Sequence, residues 1–149
     1  MSPLHRFSLS SGRRPTHRFH RRCDRVAPTV TLVRERDGGW LFGAYTAAQW
    51  TSDGTSSWDD TAFVFSITNP HGRPPAKFDV VTPEEAVCGS SAALCPTFGA
   101  GADLRLWPGG KGTCRIGHSY RDVWCKGAAS LTGAPSFVWS DVYVYGVYE

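Results

Sequence analysis

The chain has 149 residues, of which 41% are hydrophobic, 13% aromatic and 19% charged, and its formal net charge is +3. This length fits one domain with a sizeable core, and the low charge with high aromatic content excludes a disordered polypeptide. No run of apolar residues is longer than four, as at residues 62–65, which excludes a membrane-spanning helix.

The first predicted element is a short helix that begins at Pro15 and ends before Pro28. Phe19, Cys23 and Val26 would lie on one face of this helix. The later segments alternate β-branched or aromatic residues with polar ones, which is typical of strands. Strands are predicted at residues 29–36, 40–45, 61–68, 77–81, 103–107, 113–116 and 137–148. The strand at 61–68 is expected to be central and buried on both faces.

The segments between the strands have turn signals. An Asp-Gly-Gly run at residues 37–39 predicts a tight hairpin turn, and three Pro and one Gly exclude regular structure at residues 69–75. The TPEE sequence at residues 82–85 predicts one or two helical turns, whereas residues 95–101 are predicted as loop. Six to eight strands with little helix predict a mainly β (α+β) fold, a two-sheet antiparallel β-sandwich with a few short peripheral helices.

The N-terminal segment is strongly basic. Residues 1–26 contain seven Arg and one acid, Asp24, which gives this segment a net charge of +6 and the rest of the chain −3. We expect residues 1–14 to be an irregular, mobile arm and residues 15–149 to form a single domain. The predicted compartment is the cytoplasm, with the mitochondrion as the alternative, because residues 1–22 are rich in Arg and Ser and free of acids. The rest of the sequence has no Arg-rich patch, which argues against nucleic-acid binding.

The cysteines predict neither a disulfide framework nor a zinc site. Their number, five, is odd, and no two are spaced C-x-x-C, so reduced and buried thiols are expected. His17, His20 and Cys23 share a helical face, but a structural zinc ion needs four firm ligands. No metal and no cofactor are predicted.

The sequence contains no assembled catalytic motif. A G-x-S-x-G elbow is absent, and His71 and His118 lie in predicted loops. Ser90, Ser91 and Ser119 are candidate nucleophiles in number only. A non-catalytic domain is therefore predicted. The alternative is a thiol-dependent peroxide or disulfide enzyme that uses Cys114 or Cys95 as its nucleophile.

Six tryptophans suggest a weaker alternative, a carbohydrate-binding β-sandwich. Tryptophan rings can stack on sugars, but they more often fill a core and its rim. The six are Trp40, Trp50, Trp58, Trp107, Trp124 and Trp139.

Several segments resemble the TLDc domain, the module of the eukaryotic oxidation-resistance proteins. The resemblance begins with FHRRCD at residues 19–24 and PTVTLVRERDGGWLFGAYT at 28–46. Its most recognisable stretch is TAFVFSITNPHGRPPAKF at residues 61–78. The resemblance continues, in the order of the family, with PTFG and a following Gly101 and Asp103, then GHSY, LTG and SDVYV near the C-terminus.

This resemblance implies a two-sheet β-sandwich with no established catalytic centre. It also implies a role in protection against oxidative stress, in binding and regulating the vacuolar proton-pumping ATPase, or in both. Loops on a rigid scaffold commonly carry recognition, so the predicted binding surface lies at the NPHG and PTFG loops. Its candidate residues are Asn69, His71, Gly72, Thr97, Phe98, Gly99, Asp103 and His118.

The sequence departs from the family pattern at three positions. Cys95 stands where the family usually has Gly, Ala102 where it often has His, and Tyr143 where it commonly has Glu. If the two loops are exposed, replacing His71 and Asp103 by Ala is expected to weaken partner binding with little loss of stability.

Overall fold

A computed structural model describes residues 7–8, 26–50, 56–88, 97–107 and 109–147 of the chain. Within these ranges, turns and two short 3-10 helices, Pro83–Glu85 and Gly127–Ala129, separate ten strands. The predicted helix that begins at Pro15 lies outside them. The strands are β1 (Phe7–Ser8), β2 (Thr29–Glu35), β3 (Leu41–Thr46), β4 (Phe63–Ser66), β5 (Ala76–Asp79), β6 (Val87–Cys88), β7 (Thr97–Phe98), β8 (Leu104–Trp107), β9 (Lys111–Cys114) and β10 (Ser136–Gly146).

The described strands form one continuous antiparallel sheet in the order β5-β4-β3-β2-β10-β9-β8-β7-β6, with β1 paired to β10. The mainly β, antiparallel prediction is confirmed, but the hydrogen bonding does not divide the strands into two separate sheets. The long strand β10 joins the two halves, because its first residues pair with β9 and its later residues pair with β2. A register shift between Trp139 and Asp141 marks the change of partner.

Both halves of the sheet contribute to one hydrophobic core. The ring of Phe42 on β3 meets that of Phe137 on β10 edge to face at 5.1 Å, and Trp50 meets Phe98 on β7 in the same way at 5.4 Å. Such pairs add specific ring geometry to the burial of apolar area. The core therefore also fixes how the two halves of the sheet pack together.

Strand β4 corrects one prediction from the sequence. It alternates between half-buried Phe63 and Phe65 and fully covered Val64 and Ser66, so it is not buried on both faces. It lies next to the edge strand β5. On its outer face the ammonium group of Lys77 sits 4.2 Å from the centre of the Phe63 ring.

Two segments predicted as irregular contain short strands. Phe7–Ser8 pairs with Val144 and Tyr143 of β10, and Thr97–Phe98 pairs with both β6 and β8. A two-residue strand has no alternation that could be read from a sequence, which is why both predictions are wrong at these residues. That residues 1–14 form a separate arm stays a prediction.

Asp59 ties the end of β3 to the turn before β4. Its carboxylate is buried and accepts hydrogen bonds from the Thr46 hydroxyl (2.8 Å), the Ala47 N–H (2.7 Å), and the N–H and hydroxyl of Thr61 (2.8 and 2.6 Å). Burial raises the pKa of Asp59, but these hydrogen bonds together outweigh burial and hold its pKa below the ordinary value. Ionised Asp59 therefore stabilises the fold.

We expect Asp59→Asn to destabilise the protein at neutral pH and much less in acid. Because the pKa of Asp59 is lower in the folded than in the unfolded chain, its contribution is present above the unfolded pKa of about 3.9 and is lost as the pH falls through the folded pKa. Urea denaturation should show that the unfolding free energy of Asp59→Asn is about 1–3 kcal/mol lower than that of the wild type near neutral pH. This difference should shrink in acid. A difference that does not change with pH would contradict this assignment.

Candidate interaction surface

Asn69 organises the NPHG loop from within. Its side-chain oxygen accepts hydrogen bonds from the N–H groups of His71 (3.0 Å) and Arg73 (3.2 Å), and its side-chain amide donates to the Arg73 carbonyl at 2.9 Å. Asn69 is itself buried, so it shapes the loop and does not present a side chain to a partner.

The NPHG loop is docked on a tryptophan from a distant part of the chain. Nε2 of His71 lies 2.7 Å from the carbonyl oxygen of Ala129, and the His71 ring meets Trp124 edge to face at 6.1 Å. The guanidinium group of Arg73 lies 5.5 Å from the centre of the Trp124 ring, which packs on Phe78 of β5 at 5.1 Å. These contacts hold the loop against the body of the domain.

Gly72 is the exposed tip of this loop. Its φ angle of +66° lies in the left-handed region that glycine adopts without strain. Gly72 and Arg73 are exposed, whereas His71 is half-buried against Trp124.

Asp103 lies beneath the second loop and is fully buried. Its carboxylate accepts hydrogen bonds of 3.0–3.1 Å from four consecutive backbone N–H groups, those of Gly117, His118, Ser119 and Tyr120. Burial raises the pKa of Asp103 above its ordinary value, and the four N–H donors act in the opposite sense. One side chain therefore fixes the conformation of a whole backbone segment.

A polar cluster lies next to this segment. The buried Ser119 hydroxyl donates to Oε2 of Glu85 at 2.9 Å, and Nδ1 of the exposed His118 lies 3.1 Å from that hydroxyl and 3.5 Å from the carboxylate. In a catalytic triad the imidazole stands between the nucleophile and the acid. Here the hydroxyl donates directly to the acid, so the cluster holds the segment in place and does not activate Ser119.

Besides Asn69, four of the predicted binding residues lie inside the protein, so the prediction that these five are exposed is wrong. Thr97, Phe98 and Asp103 are fully buried, and Gly99 is also covered. Gly99 has a φ of +89°, and a Cβ atom there would come within 2.2 Å of Oδ1 of Asp103. These residues shape the PTFG turn from inside the protein. At Gly99 the backbone passes close to the buried carboxylate of Asp103, where a side chain would not fit.

The segment at residues 117–133 connects the two loops. Its first part surrounds Asp103, and its later part supplies Trp124 and Ala129 to the NPHG loop. We call the exposed residues Gly72, Arg73 and His118, together with half-buried His71 and Trp124, the loop surface. The sequence gives no signal that Glu85, Ser119 and Trp124 belong to this site. Their contacts join residues more than 30 positions apart and leave no local pattern.

Tyr143, which stands where the family commonly has Glu, is half-buried on β10. Its hydroxyl donates a 3.4 Å hydrogen bond to Asp141, two residues earlier on the strand. A carboxylate therefore lies close to this position even though Tyr143 itself has none.

The buried thiols lack the properties of a nucleophile. Cys114 is 2% exposed, and burial raises the pKa of its thiol to about 12. Burial also raises the pKa of the Cys88 thiol. Since the thiolate is the attacking form, these values contradict Cys114 as the nucleophile of a thiol enzyme. Cys95, the other residue of that alternative, lies outside the described residues.

We expect Cys114 to resist alkylation in the native protein, whereas the exposed Cys125 reacts. At neutral pH a thiol with a pKa of about 12 is ionised in roughly one molecule in 100,000. Peptide mass spectrometry after brief iodoacetamide treatment, with and without urea, measures both sites. Cys125 is the internal control. Labelling of native Cys114 at the rate of Cys125 would make Cys114 a candidate nucleophile again.

The tryptophans are divided between the core and the surface. Trp50 and Trp139 are buried in the core, and Trp124 supports the NPHG loop, while Trp58 is 62% exposed. This distribution favours packing roles for three of them over a shared sugar-stacking platform.

The described part of the chain contains neither a metal-ligand cluster nor a membrane-spanning helix. There, no group of three or more His, Cys, Asp or Glu side chains is placed to hold a metal ion. Likewise, no helix in these ranges is long and apolar enough to cross a membrane.

Comparison with known protein families gives a match over nearly the whole chain. The sequence pattern of the family described as TLDc domain matches residues 4–148, nearly the whole chain. This range contains every segment on which the resemblance rests, so the resemblance is confirmed. No curated protein matches the chain.

Proposed function

We propose that this chain, which belongs to the TLDc domain family, is a non-catalytic module that binds a protein partner through its loop surface. The observation that carries this proposal is the way both loops are held. Asn69 fixes the NPHG loop and Asp103 fixes the PTFG region, each by hydrogen bonds from a buried side chain. A loop that is already ordered loses less conformational entropy on binding.

The chemistry of the described residues supports a binding role over a catalytic one. The Ser119 hydroxyl is buried and donates to Glu85, and the pKa of the Cys114 thiol is raised far above neutral pH. Neither group is prepared to attack a substrate. His118 is exposed but is adjacent to a carboxylate that already accepts a hydrogen bond from Ser119.

Membership of the family supports a proposal for the partner and the compartment. We propose the vacuolar proton-pumping ATPase as the partner, with regulation of that enzyme, protection against oxidative stress, or both as the role. The cytoplasm is the proposed compartment, since the soluble sector of that ATPase is accessible there.

The test is a titration of the purified protein against the isolated soluble sector of the vacuolar ATPase. ATP hydrolysis and subunit release are followed together with binding. We expect saturable binding that alters one of these activities. The double variant Arg73→Ala, His118→Ala should bind roughly tenfold more weakly or worse, because it removes two exposed groups of the loop surface and no core contact.

Arg34→Ala is the matched control, because Arg34 is also an exposed arginine but lies on β2, and no hydrogen bond or ion pair joins its side chain to the described residues of the loop surface. Its binding should equal that of the wild type. No binding at tens of micromolar would remove the ATPase as partner. Equal losses in the control and the double variant would show that net charge, and not the loop surface, governs binding.

A further inference from the structure

A cleft of about 1000 Å³ lies on the half of the sheet formed by β8, β9 and β10. The tip of the β2–β3 hairpin, with Glu35 and Asp37, forms one side of it, and Trp107 and Phe137 contribute ring surface. This volume lies within the range typical of ligand-binding clefts, roughly 300–1,000 Å³. The polar side chains that line it show what kind of ligand it suits.

Strand register brings polar and basic residues together at this cleft. Lys111 and Thr113 alternate along β9, so both lie on the same face of the strand. Arg105 of β8 and Ser136 of β10 are the register partners of Thr113 on either side. Lys111 and Thr113 line the cleft together with Ser136.

A smaller adjoining pocket of about 250 Å³ extends the cleft toward the PTFG turn. Thr113 and Ser136 line both cavities, and Arg115, Gly101 and Ala102 line the smaller one. The cleft therefore continues to the turn that Asp103 supports from below. We call the surface made by Lys111, Thr113, Arg115 and Ser136 the basic groove, and Arg105 lies beside it on β8 as the register partner of Thr113.

The unpaired charge of this region is positive. Within the described ranges, Arg105, Lys111 and Arg115 take part in no ion pair, and Nε of Arg105 is buried without a hydrogen-bond partner. Of the two carboxylates of the cleft, only Asp37 has a cationic partner among the described residues, so the unpaired charge is net positive with Glu35 as its one negative member. Glu35 accepts a hydrogen bond from the Gly38 N–H, and Asp37 pairs with Arg36 at 3.1 Å.

The hydroxyl groups add hydrogen-bonding capacity beside these cations. The side chains of Thr113 and Ser136 make no hydrogen bond with other described residues, and each can donate to an anion. Carboxylates bound by cations and hydroxyls form the stronger, charge-assisted class of hydrogen bond. The apolar surface of Trp107, Phe137 and Val138 suits a ligand that also has apolar groups.

We propose that the basic groove binds an acidic, partly apolar peptide segment of a partner protein. The proposal rests on the proposed function, and it names the chemistry of the segment that the module recognises. Three unpaired cations and two hydroxyls match carboxylate side chains, while the ring surfaces match neighbouring apolar ones. A segment of this kind would lie along β9 and reach the PTFG turn.

Two observations favour a peptide over other anionic or polar ligands. A continuous phosphate backbone binds best to an uninterrupted positive track, whereas Glu35 interrupts the positive charge along this cleft. A peptide can place separate carboxylates at the cations and apolar residues elsewhere. The guanidinium group of Arg105 lies over the half-buried ring of Trp107 at 5.1 Å from its centre. That ring face is therefore not open for stacking on a sugar.

The probe for the test is a capped synthetic peptide of alternating glutamate and leucine, and its control has glutamine in place of glutamate. Binding to the ¹⁵N-labelled full chain is followed by NMR. We expect the glutamate peptide to shift the amide signals of Lys111, Thr113 and Ser136, more weakly as salt is added. The glutamine peptide should leave these signals unchanged.

Matched variants test the assignment to specific charges. Lys111→Gln with Arg115→Gln should weaken binding of the glutamate peptide at least about tenfold. Both side chains are exposed, so the fold should be kept. The control, Lys77→Gln with Arg34→Gln, removes two exposed cations from the other half of the sheet and should bind like the wild type.

Several results would overturn the proposal. These are equal binding of both peptides, unchanged binding by the groove variant, or groove signals that shift only with an RNA oligonucleotide or a glycan.

The outcome is separable from that of the proposed function. If the groove variant binds the ATPase sector like the wild type while the loop-surface variant does not, the groove proposal fails and the proposed function stands. If the glutamate peptide binds but the ATPase sector does not, the ATPase fails as the partner and the groove proposal stands.

Discussion

Asp103→Ala is expected to lower the free energy of unfolding by about 3–5 kcal/mol, the largest effect of any single polar substitution considered. Asp103 is fully buried, and its carboxylate accepts hydrogen bonds from the backbone N–H groups of residues 117–120. Alanine would leave these donors without a partner inside the protein. For a chain of this size, the loss corresponds to a fall in Tm of roughly 10 °C.

The isosteric variant separates hydrogen bonding from charge. In Asp103→Asn the remaining oxygen can occupy the position of Oδ2, which receives a hydrogen bond from each of the four N–H groups. We therefore expect stability in the order wild type, Asp103→Asn, Asp103→Ala. Asp60→Ala, which removes an exposed carboxylate, is the control and should change stability by less than about 0.5 kcal/mol.

Thermal and urea denaturation measure this order. The raised pKa of Asp103 also fixes the direction of its pH dependence. Because its pKa is higher in the folded than in the unfolded chain, protonation in acid stabilises the folded wild type. Asn at this position does not titrate and lacks this gain, so the penalty of Asp103→Asn should grow as the pH falls. An alanine variant as stable as the Asp60 control would contradict the buried position of Asp103.

Phe98→Ala is expected to cost about 3–5 kcal/mol, the range typical of removing a buried aromatic ring. Phe98 is fully buried on β7, and its ring meets Trp50 edge to face at 5.4 Å. The substitution would open a cavity between the β6–β8 half of the sheet and the segment that follows β3. We expect the variant to unfold at lower urea concentration with little change in the slope of the transition.

Two variants calibrate this measurement. Phe98→Leu keeps most of the buried volume and should cost less than the alanine variant. Trp58→Ala removes an aromatic side chain that is 62% exposed and should be close to neutral. If Phe98→Ala were neutral and instead weakened binding to the ATPase sector, Phe98 would belong to the loop surface after all.

These two predictions reverse an expectation from the sequence. With both loops taken as exposed, the pair His71→Ala and Asp103→Ala is expected to affect binding and hardly stability. The buried position of Asp103 makes that pair destabilising, so it cannot report on binding. Arg73 and His118 are the better probes because their side chains reach solvent.

Much of the fold could be predicted from the sequence because it depends on local features. The hairpin of β2 and β3 follows from alternation and an Asp-Gly-Gly turn, and the 3-10 helix Pro83–Glu85 from a proline preceded by a cap residue. The same local runs identify the family. The short strands β1 and β7 could not be predicted, since their pairing partners, and not their own residues, define them.

The site depended on contacts between residues far apart in the sequence. From its neighbouring residues alone, Asp103 is predicted to begin a strand. It is buried because residues 117–120 fold over it.

The sequence by itself determined the strands of four or more residues, the turns and the family, because neighbouring residues set the preferences of the backbone. The tertiary structure decided which loop residues reach solvent and where charges gather. Arg105, Lys111 and Arg115 are spaced too widely to form a basic run in the sequence. The antiparallel register of β8 with β9 places Arg105 beside Thr113. Lys111 and Arg115 line two adjoining cavities that share Thr113 and Ser136.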